Sequence, residues 1–452
     1  MNSAPLRHLG RLLACLAALS LVAQPAAAQS VLRDAETEAL LDDLAAPLVE
    51  AAGLDEVEIV LINDPSINAF VAGGQAIYVH SGLINAADDA GEVQGVIAHE
   101  LGHITGGHII RHGEGAKGAA NITLLSMLLG LAAAAAGAGE AAMGIMSAGQ
   151  RAAIGKYLAF SRVQEASADA AGVEYLSKAG ISGEGSLTFF GKLQQEEFRR
   201  GISQDDDQTF VRSHPLSGDR VANLRLDYER DPAWGRPTDP HLQARFERAR
   251  AKLYGYLAEP EQVFAAFPES RTDAPARLAR AYAWHKQART EKALAEADAL
   301  LAAAPDDPYL LELKGQILLE SGRPDDALGP LRQATQISNA SPLIASMFGH
   351  ALIATEDRAH FDEAERVLRA SLQRDRFNPF GWRQLGVIYE DRGDTSRARL
   401  ASAEQQAMRR QWYEALVSAQ SAEQGLPAES PDWIRAQDIA LQARAELERL
   451  RD

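Results

Sequence analysis

Residues 96–108, VIAHELGHITGGH, place three histidines and one glutamate in a short run that helical periodicity assigns to one helix. His99 and His103 are four residues apart, so that on a helix both imidazoles project from one face. Two imidazole nitrogens at this spacing can bind one tetrahedral zinc ion. Glu100 can reach a water on the metal and act as a general base. The alternative is a structural helix that carries this motif by chance.

A tetrahedral zinc site needs a third protein ligand, and two candidates follow the motif. His108 would extend the pattern to H-E-x-x-H-x-x-G-x-x-H, but it falls one residue too early. Glu165 and Asp169, in FSRVQEASADAAGVEYL, share one face of a predicted helix. Glu165 can bind the metal, and Asp169 can accept a hydrogen bond from the far nitrogen of a liganding histidine. The alternative is a pair of surface carboxylates on an amphipathic helix.

The hydrophobic pattern predicts the elements that position these residues. Helical spacing of leucines indicates a helix over 30–54, and β-branched residues indicate a strand over 57–63. A glycine pair then predicts a turn, and helical periodicity resumes over about 90–111. The strand Ala76, Ile77, Tyr78 and Val79 is expected at the edge of the sheet beside the cleft, where an extended substrate could pair with it.

Residues 113–149 are rich in alanine, glycine and leucine, and NITLLSMLLGLAAAAAGAG within them carries no charge. Two interpretations are open: a hairpin that dips into a membrane, or a buried or flexible pair of helices. Alanine and glycine make the segment only weakly hydrophobic, which favours the helical pair.

The N-terminus has the features of a secretory signal peptide over residues 1–28. Two arginines precede an apolar run over 12–22, and small residues lead to a cleavage site after Ala28. The single cysteine, Cys15, lies in this segment, so the mature chain would contain neither thiols nor disulfides. A net charge of −17 argues against a surface that binds nucleic acid.

A proline-rich stretch at 231–240 precedes the last helix of a first domain, expected over 29–258. The second domain, 259–452, contains pairs of small residues that recur after 34, 34 and 37 residues. These pairs are Ala281 and Ala293, Gly315 and Ala327, Gly349 and Ala364, and Gly386 and Ala398. The pattern resembles tetratricopeptide repeats, about four units whose concave surface would bind protein partners. The alternative is an unrelated helical bundle.

HELGH, SRVQEASAD and SHPLSGDR together resemble the gluzincin metallopeptidases, which include HtpX and the CAAX prenyl proteases. The order of signal peptide, protease domain and repeats resembles the periplasmic BepA-type proteases of that group. The implied fold is mainly α: an α+β protease domain with a small β-sheet, followed by an all-α repeat superhelix. The resemblance makes His99, His103 and Glu165 the ligands of one zinc ion per chain. It makes Glu100 the general base, and Asp169 the residue that accepts a hydrogen bond from a liganding histidine.

The segment SHPLSGDR adds two candidates for stabilising an oxyanion, His214 and Arg220. His214 is expected near the metal. It could donate to the oxyanion, or it could occupy the open zinc position and keep the enzyme latent. The alternative is a loop histidine that only shapes the turn before proline.

The resemblance implies a periplasmic zinc endopeptidase that cleaves misfolded or stalled outer-membrane proteins. Its repeats would dock onto the β-barrel assembly machinery. The alternative function is a chaperone or assembly scaffold with little proteolysis. Nucleic acid is not an expected partner, whereas unfolded proteins are, and peripheral contact with a membrane is a further expectation.

Overall fold

A computed structural model describes residues 30–135, 138–199 and 218–451, so the predicted signal peptide lies outside the described residues. A small sheet forms near the start of the described chain. Its strands are β1 (Ser30–Val31), β2 (Glu58–Asn63), β3 (Ala69–Ala72) and β4 (Ala76–His80). They lie in the order β1-β2-β4-β3, with β2 parallel to β4 and the other neighbours antiparallel.

The helices that follow in the first part of the described chain surround this sheet or extend from it. They are α1 (Ala35–Ala51), α2 (Ser81–Ala86), α3 (Ala90–Thr105), α4 (His108–Ala135), α5 (Gly139–Ala179), α6 (Glu184–Arg199), α7 (Gly218–Glu229) and α8 (Pro240–Leu257). Asp89 caps the start of helix α3, and its side chain accepts a hydrogen bond from the amide of Gly91. It is buried from Ala90 to His103, at the centre of the main hydrophobic core. The HELGH motif therefore lies on a rigid, fully packed element.

The predicted helix over 90–111 is interrupted. Helix α3 ends at Thr105, and Gly107 adopts a left-handed φ of 62°, a conformation that glycine takes without steric cost. Helix α4 then starts at His108 in a new direction. The break turns His108 back toward the end of α3.

The expectation that residues 76–79 form an edge strand is wrong. Strand β4 pairs with β3 on one side and with β2 on the other, which places it inside the sheet. The turn at Gly73 and Gly74, with φ of 64° and 111°, folds β3 back onto β4. The strand at this end of the described sheet is β3, and it contacts α3. The parallel pairing joins β4 to β2, which is not its neighbour along the chain, so the residues of β4 alone do not predict it.

Helices α4 and α5 form a long antiparallel hairpin, so the prediction of a helical pair over 113–149 is correct in secondary structure for the described residues of that range. The favoured interpretation allowed for a buried pair, and this part of it is wrong, because the large apolar side chains of α4 face outward. Among the described residues, no helix is long and apolar enough to span a membrane.

The rest of the described chain is entirely helical. After α9 (Pro260–Ala266) come α10 (Ala274–Lys286), α11 (Thr290–Ala303), α12 (Pro308–Glu320), α13 (Pro324–Ile337), α14 (Pro342–Ala354), a short 3₁₀ turn (Arg358–His360), α15 (Phe361–Arg374), α16 (Pro379–Asp391), α17 (Thr395–Met408), α18 (Trp412–Gly425) and α19 (Pro431–Arg449). Consecutive helices pack as hairpins. The small residues mark their close contacts, since a Cβ on Gly315 would lie 2.4 Å from Leu331 and one on Gly349 2.6 Å from Leu368. The predicted fold class, a mainly α protein with a small sheet and an all-α repeat region, is confirmed.

Buried charges join the start of α1 to the repeats. Lys252 on α8 binds Asp34 at 2.5 Å and Glu36 at 3.4 Å. Glu312 on α12 is fully buried nearby, and burial raises its pKa to about 8 despite the positive charge of Lys252. Asp34, Lys252 and Glu312 line a cavity of about 660 Å³ between the N-terminal segment, α8 and the inner helices of the repeats.

Candidate metal centre

Close contacts between helices bring the predicted ligands together. A Cβ on Gly102 would lie 2.5 Å from the carbonyl oxygen of Ala168, so only glycine lets α3 and α5 approach this closely. Gly172 likewise packs against the backbone at His99. As a result, Glu165 faces the two histidines of the motif.

The three side chains His99, His103 and Glu165 form the group, among the described residues, that could hold a metal ion. The two histidine Nε2 atoms lie 3.1 Å apart. Oxygens of Glu165 lie 3.3 Å from His99 Nε2 and 3.5 Å from His103 Nε2. Ligands at about 2.0–2.1 Å from a tetrahedral zinc ion would be about 3.3–3.4 Å from one another. The donor types and their separations therefore fit zinc.

The far nitrogens of both histidines have partners that fix the rings. His99 Nδ1 lies 2.9 Å from Asp169 Oδ1, and His103 Nδ1 lies 2.9 Å from His108 Nδ1. Burial alone would lower the pKa of His99, but hydrogen bonds with Asp169 and Glu165 raise it to about 9. Burial lowers the pKa of His108, which keeps that ring neutral. Such outer partners orient a liganding imidazole and set its tautomer.

Arg220, at the start of α7, lies inside the same cluster. Its Nη1 is 2.8 Å from Glu165 Oε2, and its Nη2 donates to Asp169 Oδ1 at 2.8 Å. Burial would lower the pKa of Arg220, but Asp169, Glu165 and Glu100 raise it. Burial also acts to raise the pKa of Asp169, yet hydrogen bonds from His99 and Arg220 lower it. Asp169 therefore stays ionised at neutral pH.

Glu100 is 2 % exposed and follows His99 directly on α3. Its negative charge contributes to the raised pKa of Arg220, which places the carboxyl group near the same cluster. His214 lies outside the described residues.

Two residues contribute that the sequence analysis did not assign to the site. His108, rejected there as a ligand, supports His103 instead, and only the break before α4 makes this contact. Phe190 on α6 packs edge-on against His99 with ring centroids 6.0 Å apart, and Arg220 lies over its face at 5.5 Å. The contact of Phe190 with His99 has no signal in the local sequence. For the contact of His108 with His103, the one hint is that His108 lies five residues after His103.

A buried His-His-Glu cluster with an adjacent buried glutamate is the arrangement of a metallopeptidase centre. Residues 31–227, which contain the whole cluster, match the profile described as Peptidase family M48, so this part of the chain is similar to that family. The prediction from sequence that the chain contains a metallopeptidase domain is confirmed.

Named relatives agree with this assignment. The chain is 27 % identical over 286 residues to the beta-barrel assembly-enhancing protease of Escherichia coli (strain K12), covering 61 % of this chain and 56 % of the relative. A Vibrio cholerae protein that carries the same name provisionally is 31 % identical, over 54 % of this chain and 50 % of its own length. Metalloprotease LoiP of Escherichia coli is 35 % identical over 35 % of this chain and 58 % of the relative. The chain thus spans between half and three-fifths of the length of these relatives.

Proposed function

We propose that this protein is a periplasmic zinc endopeptidase that cleaves misfolded or stalled outer-membrane proteins. The observation that carries the proposal is the spacing of 3.1–3.5 Å among donor atoms of His99, His103 and Glu165. Two histidines and one carboxylate leave a fourth position for water or substrate, as catalytic zinc sites do.

In this proposal, zinc would be held by His99, His103 and Glu165. When bound, it would lower the pKa of water from 15.7 to about 7 and polarise the scissile carbonyl. Glu100 accepts the proton of the attacking water and delivers it to the leaving amine. Asp169 accepts the hydrogen of His99 Nδ1, which would direct the lone pair of His99 Nε2 toward the metal.

Arg220 has a positioning role in this scheme, because its guanidinium binds both Glu165 and Asp169. It neutralises part of their buried negative charge and keeps the carboxylates aimed at the histidines. Contact of His214 or Arg220 with an oxyanion remains a prediction from the sequence.

We further propose a division into a protease domain over 29–258 and a repeat domain over 259–452, with residues 1–28 removed on secretion. The names of the relatives support a role in outer-membrane assembly. The cavity beside the inner repeat helices supports the docking of an assembly partner there.

The test is zinc content and casein cleavage by residues 29–452, compared with Glu100→Gln. Glu92→Gln is a matched control, because Glu92 is equally buried on α3 but binds Lys192 away from the cluster. We expect one zinc ion per chain in all three proteins and loss of cleavage only in Glu100→Gln. Cleavage that survives in Glu100→Gln contradicts the role of this base. Zinc binding without cleavage by the unmodified protein would favour a scaffold.

A further inference from the structure

The α4–α5 hairpin exposes an unusual set of large apolar side chains. Between 49 % and 64 % of each of these side chains is exposed to solvent. They are Leu124, Leu125, Met127, Leu128, Leu129 and Leu131 on α4, with Met143 on α5. Isolated exposed leucines are common on protein surfaces, but a contiguous patch marks an interaction site.

Small residues of α4 lie at the closest contacts between the two helices. Ser126 and Gly130 are the buried positions of this part of α4, and a Cβ on Gly149 would lie 2.0 Å from the Ser126 side chain. A helical hairpin exposed to water normally buries leucines between its two helices and exposes polar residues. Small residues inside and large apolar residues outside are the arrangement of helices packed in lipid.

Basic residues lie at the base of this apolar part, although the whole chain has a net charge of −17. Lys117 on α4 and Arg151 and Lys156 on α5 are all exposed. The contact between Ser126 and Gly149 sets the register of the hairpin. In that register, the three basic side chains fall within about 10 Å along its axis.

We propose that the apolar end of this hairpin inserts into one leaflet of a bilayer that contains anionic phospholipid. The three basic side chains would lie at the headgroups, where their charge complements the lipid phosphates. The helical segment from Leu124 to Ala135 is about 17 Å long, close to half of the roughly 30 Å hydrocarbon thickness.

This orientation determines where the metal centre lies. Glu165 follows Lys156 by nine residues on the same helix, so the centre would be held roughly 14 Å from the headgroups along that helix. If the proposed proteolytic function is correct, the enzyme would meet its substrates at the membrane surface. The membrane interaction itself does not depend on proteolysis.

The test is flotation of residues 29–452 carrying Glu100→Gln with vesicles of phosphatidylethanolamine and phosphatidylglycerol. A variant that replaces three hairpin leucines (Leu124→Gln, Leu128→Gln, Leu131→Gln) should lower the bound fraction at least about ten-fold. A control with Leu441→Gln and Leu450→Gln changes leucines that are 61 % and 68 % exposed, the first on the last helix and the second just after it, and should bind as before.

The basic residues are tested separately with Lys117→Gln, Arg151→Gln and Lys156→Gln. Each change should lower binding to these anionic vesicles about five-fold at low salt, with little effect on phosphatidylcholine vesicles. Equal binding by the leucine variant and the parent would overturn the proposal. Association in the absence of lipid that the leucine substitutions abolish would also overturn it, in favour of a contact between two copies of the chain.

A second measurement keeps the test decisive if the leucine variant does not fold. The mature chain would contain no cysteine, so Leu128→Cys can be labelled with a dye that reports an apolar environment. Its emission should shift to the blue on adding anionic vesicles, while the same dye at Leu441→Cys should not respond. No shift at Leu128→Cys contradicts insertion.

Discussion

Substitution of Gly102 by alanine tests whether contact between α3 and α5 sets the geometry of the metal centre. The added Cβ would lie 2.5 Å from the carbonyl oxygen of Ala168 and 2.7 Å from its Cα, both of which are backbone atoms. Ordinary contact begins near 3.4 Å, so the two helices must separate by about 0.7–0.9 Å. Glu165 lies one turn before Ala168 on α5 and would move with it.

Metal sites tolerate much smaller displacements, since ligand distances hold within about 0.2 Å. We therefore expect Gly102→Ala to weaken zinc binding at least about ten-fold. Overpacking of this kind costs about 1–3 kcal/mol, and the higher helix propensity of alanine returns up to about 1 kcal/mol. The free energy of unfolding of the metal-free protein should fall by a net of roughly 1–2 kcal/mol.

Gly95→Ala is the matched control for this experiment. Gly95 lies on the same helix, and its added Cβ would be 2.6 Å from Ser186 Cα, but Ser186 belongs to α6 and not to the ligand-bearing α5. The control should lose similar stability and retain zinc affinity. Both quantities can be measured by denaturant unfolding and by competition with a zinc chelator. Wild-type zinc affinity in a folded Gly102→Ala variant would refute this account of the site.

Two further predictions follow from the buried charges. Asp169→Asn should weaken zinc binding about 10–100-fold, because the partner of His99 Nδ1 loses its charge, and unchanged affinity in the chelator assay would contradict this. Burial raises the pKa of Glu312 from 4.5 to about 8, so the folded protein holds this proton more tightly and loses stability as pH rises between those values. Glu312→Gln should therefore stabilise the protein by a few kcal/mol at about pH 8 and by little at about pH 5, whereas a pH-independent difference in melting temperature would show that Glu312 does not titrate in this range.

The parts of the site that the sequence predicts are those whose geometry is local. His99 and His103 share a face because they are one helical turn apart, and the same holds for Glu165 and Asp169. No helical spacing predicts that Arg220, 51 residues beyond Asp169, would bind two of these side chains. That contact depends on how α7 packs against α5.

The sheet and the α4–α5 hairpin also contain features that local sequence does not predict. The residues of β4 have the composition of a strand, but its interior position depends on the parallel pairing with β2. For the hairpin, alanine and glycine predict helices that pack closely, yet composition does not tell which side faces the partner helix. The solvent exposure of the leucines and the contact of Gly149 with Ser126 show that the leucines point outward.

The balance of buried charge supports a divalent cation at the centre. Three carboxyl groups, Glu100, Glu165 and Asp169, are all at most 7 % exposed, and Arg220 supplies one positive charge among them. The carboxyl groups therefore outnumber the single guanidinium in this buried cluster, and a bound divalent cation would offset the excess. Because uncompensated buried charge is costly, the same side chains that would bind the metal also favour its presence.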